Sequence, residues 1–269
     1  MDKLYYKGEW VGNYKMWNND YVPRKKRIFT FLKYVCHFLI SLHILFQMVT
    51  RFNLSIIYVI SFSLPILLIF VSWCFFFSRN YDHTFIPTIS ETMVFMPQIR
   101  IFGVGMTIEA VFVFLFGLIQ NDLLFYFINK KKDCEKHCIF LTKFNFCLII
   151  VASFMLILLA LCPVKYYWWP HMVGAFGFFS SIIIYFCIYD YLRIKLKYPL
   201  GIFSFIFSSA SFISILLTVF LRNNLFGSYN AVRYSFSSIF QYLTLFFLLC
   251  KIIVVWKKTP VHYINVSIK

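Results

Sequence analysis

From Leu54 onward the chain alternates between long apolar blocks and short charged segments. Six blocks, at about 54–78, 98–119, 144–162, 171–192, 200–221 and 233–256, come close to or exceed the ~20 residues that cross ~30 Å of hydrocarbon. They are rich in Phe and Ile, poor in Gly, and lack the ten-residue alternation of a membrane β-barrel. A helix satisfies its own backbone in lipid, so each block predicts one spanning helix. The expected fold class is all-α: a polytopic membrane helix bundle over 54–256, preceded by an N-terminal region, 1–53, and followed by a tail, 257–269.

Residues 28–50 are apolar too, and a seventh span is the alternative there. Their polar positions are not scattered, however. At 100° per residue, Thr30, Lys33, His37, Ser41, His43, Gln47 and Arg51 fall within about half of a helix circumference. That clustering predicts an extra N-terminal amphipathic or half-inserted helix at the membrane surface.

Charge adds an orientation. Of the 26 Lys and Arg, 21 lie in the N-terminal region, the 120–143 loop, the 192–199 loop and the C-terminal region; Arg79, Arg100, Lys165, Arg222 and Arg233 fall on the other side. The positive-inside rule makes the first face, and with it both termini, cytosolic. The net charge of +16 sits in blocks that flank spans, which suits topology and anionic lipid headgroups rather than nucleic acid. A hydrophobic fraction of 61% with only 13% charged residues excludes a soluble domain, whose single core could not hide so much apolar surface. The first 27 residues are polar and aromatic, so no cleavable signal peptide is expected. The eight cysteines avoid the lumenal or extracellular loops 79–97 and 222–232, apart from which Cys162 stands alone at the edge of the third, so no disulfide framework is expected. The triplets Asn53-Leu54-Ser55 and Asn265-Val266-Ser267 fall on the cytosolic face, where they stay unglycosylated.

Against this apolar background the polar residues stand out. Glu109 lies about 11 residues into the second span, close to the bilayer centre, where a carboxylate must face the bundle interior, find a partner or take a proton. It is either a reactive or headgroup-binding acid or a packing residue beside Gly103, Gly105 and Ala110. Gln241 reaches a similar depth in the last span and is a candidate partner. Lys251 is near enough to the cytosolic end to snorkel, and Asp190 has Arg193 close by for a local ion pair. The 79–97 loop gathers Asp82, His83, Pro87, Ser90 and Glu91, followed by Pro97, Gln98 and Arg100. Pro87 to Glu91 reads as a stiff turn in which Ser90 caps a helical turn or bonds the loop. His171 opens the fourth span on the same side, after an interfacial aromatic run, Tyr166 to Trp169. His83, Glu91 and His171 together would make a polar site under the lumenal surface; a Glu91–Arg100 pair would instead only hold the loop. Asp133 to Cys138 lacks the second Cys/His pair that structural zinc needs, so no metal or other cofactor is expected.

The run Phe85-Ile86-Pro87-Thr88-Ile89-Ser90-Glu91-Thr92 resembles the loop motif of the DRAM/Frag/Sfk superfamily of six-span membrane proteins. Pro97, Ile101-Phe102-Gly103 and Ile108-Glu109-Ala110-Val111 continue the likeness, and His171-Met172-Val173-Gly174-Ala175 with Phe178, Phe179 and Tyr185 matches its fourth span. Glu109 stands where the GPI-anchor branch has a histidine, and Gln241 where the family often has a glutamate. The resemblance implies an endomembrane (ER, Golgi or lysosome) or plasma-membrane protein acting on lipid organisation. Two roles follow from it: a non-enzymatic modulator or scaffold in autophagy or lysosome function, or a factor in lipid remodelling of GPI anchors. For the second, Glu109 and His171 are the catalytic candidates, with Pro87, Ser90, Glu91, Gln98, Arg100 and Gln241 as binding residues at a lumenal headgroup site. Implied partners are membrane lipids, GPI anchors or anionic headgroups among them, and cytosolic proteins at the basic face. No recognisable catalytic constellation appears in the sequence itself, which leans toward the non-enzymatic role.

Overall fold

The computed structural model describes residues 51–78, 86–131, 136–222, 231–259 and 263–265. Six helices fill these segments: α1 (Leu54–Phe77), α2 (Gln98–Lys130), α3 (Lys136–Leu161), α4 (Trp168–Lys195), α5 (Ile202–Arg222) and α6 (Ala231–Lys257). Two three-residue strands, β1 (Arg51–Asn53) and β2 (Tyr263–Asn265), flank them. The helices belong to one unit, Asn53–Ile264; a second comprises Met1–Phe52 and Asn265–Lys269. The expected helix at 28–50 lies outside the described residues.

All six helices are long and apolar enough to cross a membrane. Only 28% to 50% of each apolar window is buried within the protein, so half or more of each window is left to face outward. Those outward positions are large and apolar, such as Phe70, Phe154, Trp169, Ile202 and Phe203. Such a surface is at home in hydrocarbon and far too apolar for water.

Two helices run past the apolar blocks that predict them. α2 continues from 119 to Lys130, and α3 begins at Lys136 rather than near 144. Hydropathy falls at Gln120, Asn121 and Asp122, but the helical period does not. Gln120, Leu123, Leu124, Phe127 and Ile128 stay on one buried face, and that face carries the helix beyond its apolar block.

α3 packs most closely on α4, and α5 on α6; α2 joins α3 and α1, while α1–α6 and α4–α5 contacts close the bundle. Small residues set the closest approach. A Cβ on Gly174 of α4 would sit 2.7 Å from the backbone nitrogen of Leu159 and 3.0 Å from its Cα on α3. Without a strong hydrophobic drive between helices in lipid, such backbone proximity is how spans gain dispersion energy. α5 buries a stripe of Ser204, Ser208, Ser211, Ser214 and Thr218 toward its neighbours, and Ser237 Oγ on α6 donates to the carbonyl of Thr218 at 2.9 Å.

The bundle end opposite the 86–97 loop holds an ion pair that differs from the sequence expectation. Asp190 on α4 pairs with Lys251 on α6, at 2.6 and 2.5 Å to its two oxygens, and not with Arg193. Ser204 and Ser208 on α5 also donate to Asp190, at 2.7 and 3.1 Å. Arg193 instead donates to the carbonyl of Tyr198 at 2.8 Å and lies over the Phe127 ring. Lys251 does not snorkel: it is fully buried. A multiply bonded carboxylate within reach outweighs escape to the interface, because a buried ammonium needs a charged partner. Beside the pair, Tyr189 donates to Gln120 Oε1 at 2.5 Å, and Gln120 Nε2 donates to Tyr58 Oη. Five helices, all but α3, are thus tied at one end by polar groups.

Candidate functional site

The loop between α1 and α2 buries Ile89 and Met93 against Phe102 and is rich in polar tethers, nearly all to one face of α6. The amide of Ile86 donates to Ser235 Oγ at 3.0 Å. Tyr242 Oη donates to the Pro87 carbonyl at 3.2 Å, while Trp73 Nε1 on α1 donates to the same hydroxyl at 2.8 Å. The amide of Ile89 donates to Gln241 Oε1 at 3.2 Å. Tyr234 Oη donates to Glu91 Oε1, whose Oε2 accepts from the Thr88 amide at 2.8 Å. Residues 234, 235, 241 and 242 stand two helical turns apart, which brings all four to the same side of α6. The loop is therefore held open and in register along that helix.

Ser90 precedes the single helical turn Glu91–Met93, the place of a cap, yet its side chain makes no cap bond. Its hydroxyl instead lies 2.7 Å from His171 Nε2. His171, buried at the start of α4, is held on its other side: Nδ1 is 2.8 Å from the carbonyl oxygen of Cys162, just past the end of α3. A carbonyl only accepts, so Nδ1 carries the ring proton and Nε2 of the neutral ring accepts from Ser90. Carbonyls at a helix end have no intrahelical donor, and the imidazole supplies one. The close α3–α4 approach at Gly174 brings the ring within reach.

Below the loop, toward the bundle centre, lies a narrow cavity of about 80 Å³. Every helix except α5 contributes to its wall. Four polar residues face it, Ser61, Ser90, Glu109 and Gln241; the rest of the wall is apolar, with Phe102, Met106 and Phe178 typical. From Phe102 to Phe116 on α2 the wall extends ~21 Å at ~1.5 Å per residue. That is longer than half of a ~30 Å hydrocarbon core.

The sequence candidates separate into three groups. Ser90, Gln241 and Glu109 share the cavity, and His171 and Glu91 join them at its loop end through Ser90 and the loop. Pro87 serves through its backbone carbonyl only. Gln98 is buried at the start of α2, with neither side-chain polar atom bonded, and Arg100 is exposed. Glu91 bonds Thr88 and Tyr234 and makes no ion pair with Arg100. Gln241 binds the Ile89 amide and is no bonded partner of Glu109, whose Oε2 is buried without a hydrogen bond. Ser90 bonds His171 rather than capping the turn. His83 and residues 133–135 lie outside the described residues; among the described ones no group of His, Cys, Asp and Glu is placed to hold a metal.

Sequence reasoning passed over Tyr234, Ser235 and Tyr242. Their one signal is spacing, Tyr234-Ser235 standing seven residues before Gln241-Tyr242 on α6, and that spacing means nothing until the loop is known to lie across it. The carbonyl of Cys162 leaves no trace in sequence.

A match to the family model described as the Frag1/DRAM/Sfk1/Cwh43P N-terminal domain covers residues 51–257. No curated protein matches the chain, and no solved structure does. The matched span takes in all six helices, the loop and the cavity, and on it the chain belongs to the Frag1/DRAM/Sfk1/Cwh43P N-terminal domain family.

Proposed function

We propose that this multi-pass membrane protein acts on membrane lipid organisation by holding a lipid within the bundle, its acyl chain in the central cavity and its polar head at the Ser90–Glu91 loop. The observation that carries this reading is the cavity itself, a mostly apolar wall that runs along α2 and meets polar Ser90 and Gln241 at the loop. In this role it works as a non-enzymatic modulator or scaffold in autophagy or lysosome function. The basic face, with both termini, is cytosolic and meets anionic headgroups and cytosolic proteins. Residues 1–53 form its cytosolic N-terminal region, with the helix at 28–50 on the membrane surface.

A second reading, lipid remodelling of GPI anchors, draws on a specific contact, the Ser90 hydroxyl against His171. Here Pro87, Ser90, Glu91, Gln98, Arg100 and Gln241 surround the headgroup, and Glu109 and His171 serve the chemistry.

The test of lipid binding is extraction and mass spectrometry of lipid from the protein purified in mild detergent. A single co-purifying lipid class is expected, lost when Val113→Trp fills the cavity at unchanged abundance. Lipid content equal in both proteins would end the reading. A lipid and GPI-anchor profile of cells with and without the protein then separates the roles. Altered anchor lipids favour remodelling, and unaltered ones favour the modulator.

A further inference from the structure

We propose that Ser90 and His171 form a nucleophile–base pair that takes an acyl group from a membrane lipid ester whose chain occupies the central cavity. The proposal rests on the lipid-binding reading and gives its remodelling arm a chemistry.

Three observations carry it. The Ser90 hydroxyl is committed to the imidazole at 2.7 Å, inside the range of an activated nucleophile and its base, although it stands where a serine would ordinarily cap. The ring is fixed in the required tautomer by the Cys162 carbonyl at 2.8 Å, which fills the orienting place that a carboxylate fills in a serine-hydrolase triad. Ser90 also lines the central cavity, and together with Phe102 and Leu159 it separates that cavity from a smaller pocket lined by His171. An ester joins an apolar chain to a polar head, so a lipid lying with its chain along the wall brings its carbonyl carbon to the depth of Ser90.

A donor for the developing oxyanion is at hand. Among the described residues the Ser90 amide has no acceptor. The amide of the nucleophile itself is a usual member of an oxyanion hole, where it stabilises the tetrahedral intermediate.

The step balances without any oxidant or reductant. Ser90 Oγ bonds to the ester carbonyl carbon as its proton passes to His171 Nε2. The bond from that carbon to the lipid oxygen breaks, and the departing oxygen takes the proton from His171, leaving an acyl ester on Ser90. Water, or the hydroxyl of a second lipid, then gives its proton to His171 and attacks the acyl carbon. Ser90 leaves and recovers its proton from the ring. With water the product is a free fatty acid; with a lipid hydroxyl it is a new lipid ester.

The experiment treats the full chain in lipid nanodiscs with a long-chain alkyl fluorophosphonate and maps the adduct by peptide mass spectrometry. The expected adduct is on Ser90, absent in Ser90→Ala. In His171→Gln, which keeps hydrogen-bonding groups toward both Ser90 and Cys162, labelling slows roughly a hundredfold or more. A photoactivatable fatty-acyl phospholipid, applied to the same variants, reports cavity occupancy independently. Normal crosslinking with no Ser90 adduct in the unaltered protein overturns the proposal while lipid binding stands. Equal labelling rates in the unaltered protein and in His171→Gln overturn it as well. Loss of crosslinking in the unaltered protein would sink both readings.

Discussion

At the scale of single residues, Glu109 is a buried acid on the cavity wall. Its Oε2 is buried without a donor, and a polar group so placed costs about 1–3 kcal/mol relative to a bonded one. On the lipid-binding reading proposed above, its partner is the ligand. Glu109→Leu is therefore expected to raise the thermal unfolding midpoint in detergent and to lower the amount of co-purifying lipid. A lowered midpoint would place the partner of Glu109 inside the protein. Glu109→Gln, nearly the same in shape, should leave abundance unchanged. Its effect on lipid content then reports the acid itself rather than the packing.

At the scale of elements, two contacts decide whether the helices meet. The Asp190–Lys251 pair joins α4 to α6, with α5 bonded to both through Ser204. Removing either charge leaves the other buried alone, so Asp190→Ala and Lys251→Ala are each expected to destabilise by about 3–5 kcal/mol. The pair Asp190→Leu with Lys251→Met should recover most of that loss, because an apolar replacement removes both desolvation costs. Denaturation of the four proteins in one detergent gives the cycle, and a double variant as weak as the sum of the singles would refute the account. Gly174 is the second contact. Any Cβ there meets the Leu159 backbone, which cannot rotate away as a side chain can. Gly174→Ala is expected to cost about 1–3 kcal/mol by overpacking. It should also weaken the Ser90–His171 contact, since His171 lies one turn earlier on the same helix. Fluorophosphonate labelling of Ser90 should slow accordingly.

At the scale of the whole molecule, the two bundle ends differ. One is tied shut by Asp190, Lys251 and the Tyr58–Gln120–Tyr189 chain; the other carries a tethered loop over a cavity. Lipid from one leaflet would enter at the loop end. On the orientation proposed from the charge pattern, Lys165 faces the lumenal or outer side and Lys197 the cytosol. Both are exposed. In a background lacking the native cysteines, Lys165→Cys should react with an impermeant maleimide from the outer or lumenal side. Lys197→Cys should react only from the cytosol. The reverse pattern, or a glycan on Asn53 or Asn265, would invert the orientation.

The six spans, the helical class and the family were legible in the sequence because each depends on local information. A run of apolar residues is as apolar in the chain as in the fold, and Pro87 to Glu91 is a contiguous motif. Polar positions such as Ser90, Glu109 and Gln241 stood out too, since a polar residue in an apolar block advertises itself, whereas Tyr234, Ser235 and Tyr242 did not. The partners of such residues were not legible. Asp190 was expected with Arg193, three residues away, and is found with Lys251; Gln241 was expected with Glu109 and is found at the Ile89 amide. Nearness in sequence governs helix formation, but pairing inside a bundle follows which faces are brought together. The acceptor for His171 is a backbone carbonyl, and the cavity is a space between helices, so neither is written as a residue type. The sequence by itself therefore determined the spans, their number and the polar residues within them. Only the tertiary structure decided which of those residues meet, because burial in a low-dielectric interior favours whichever partner the packing brings within reach.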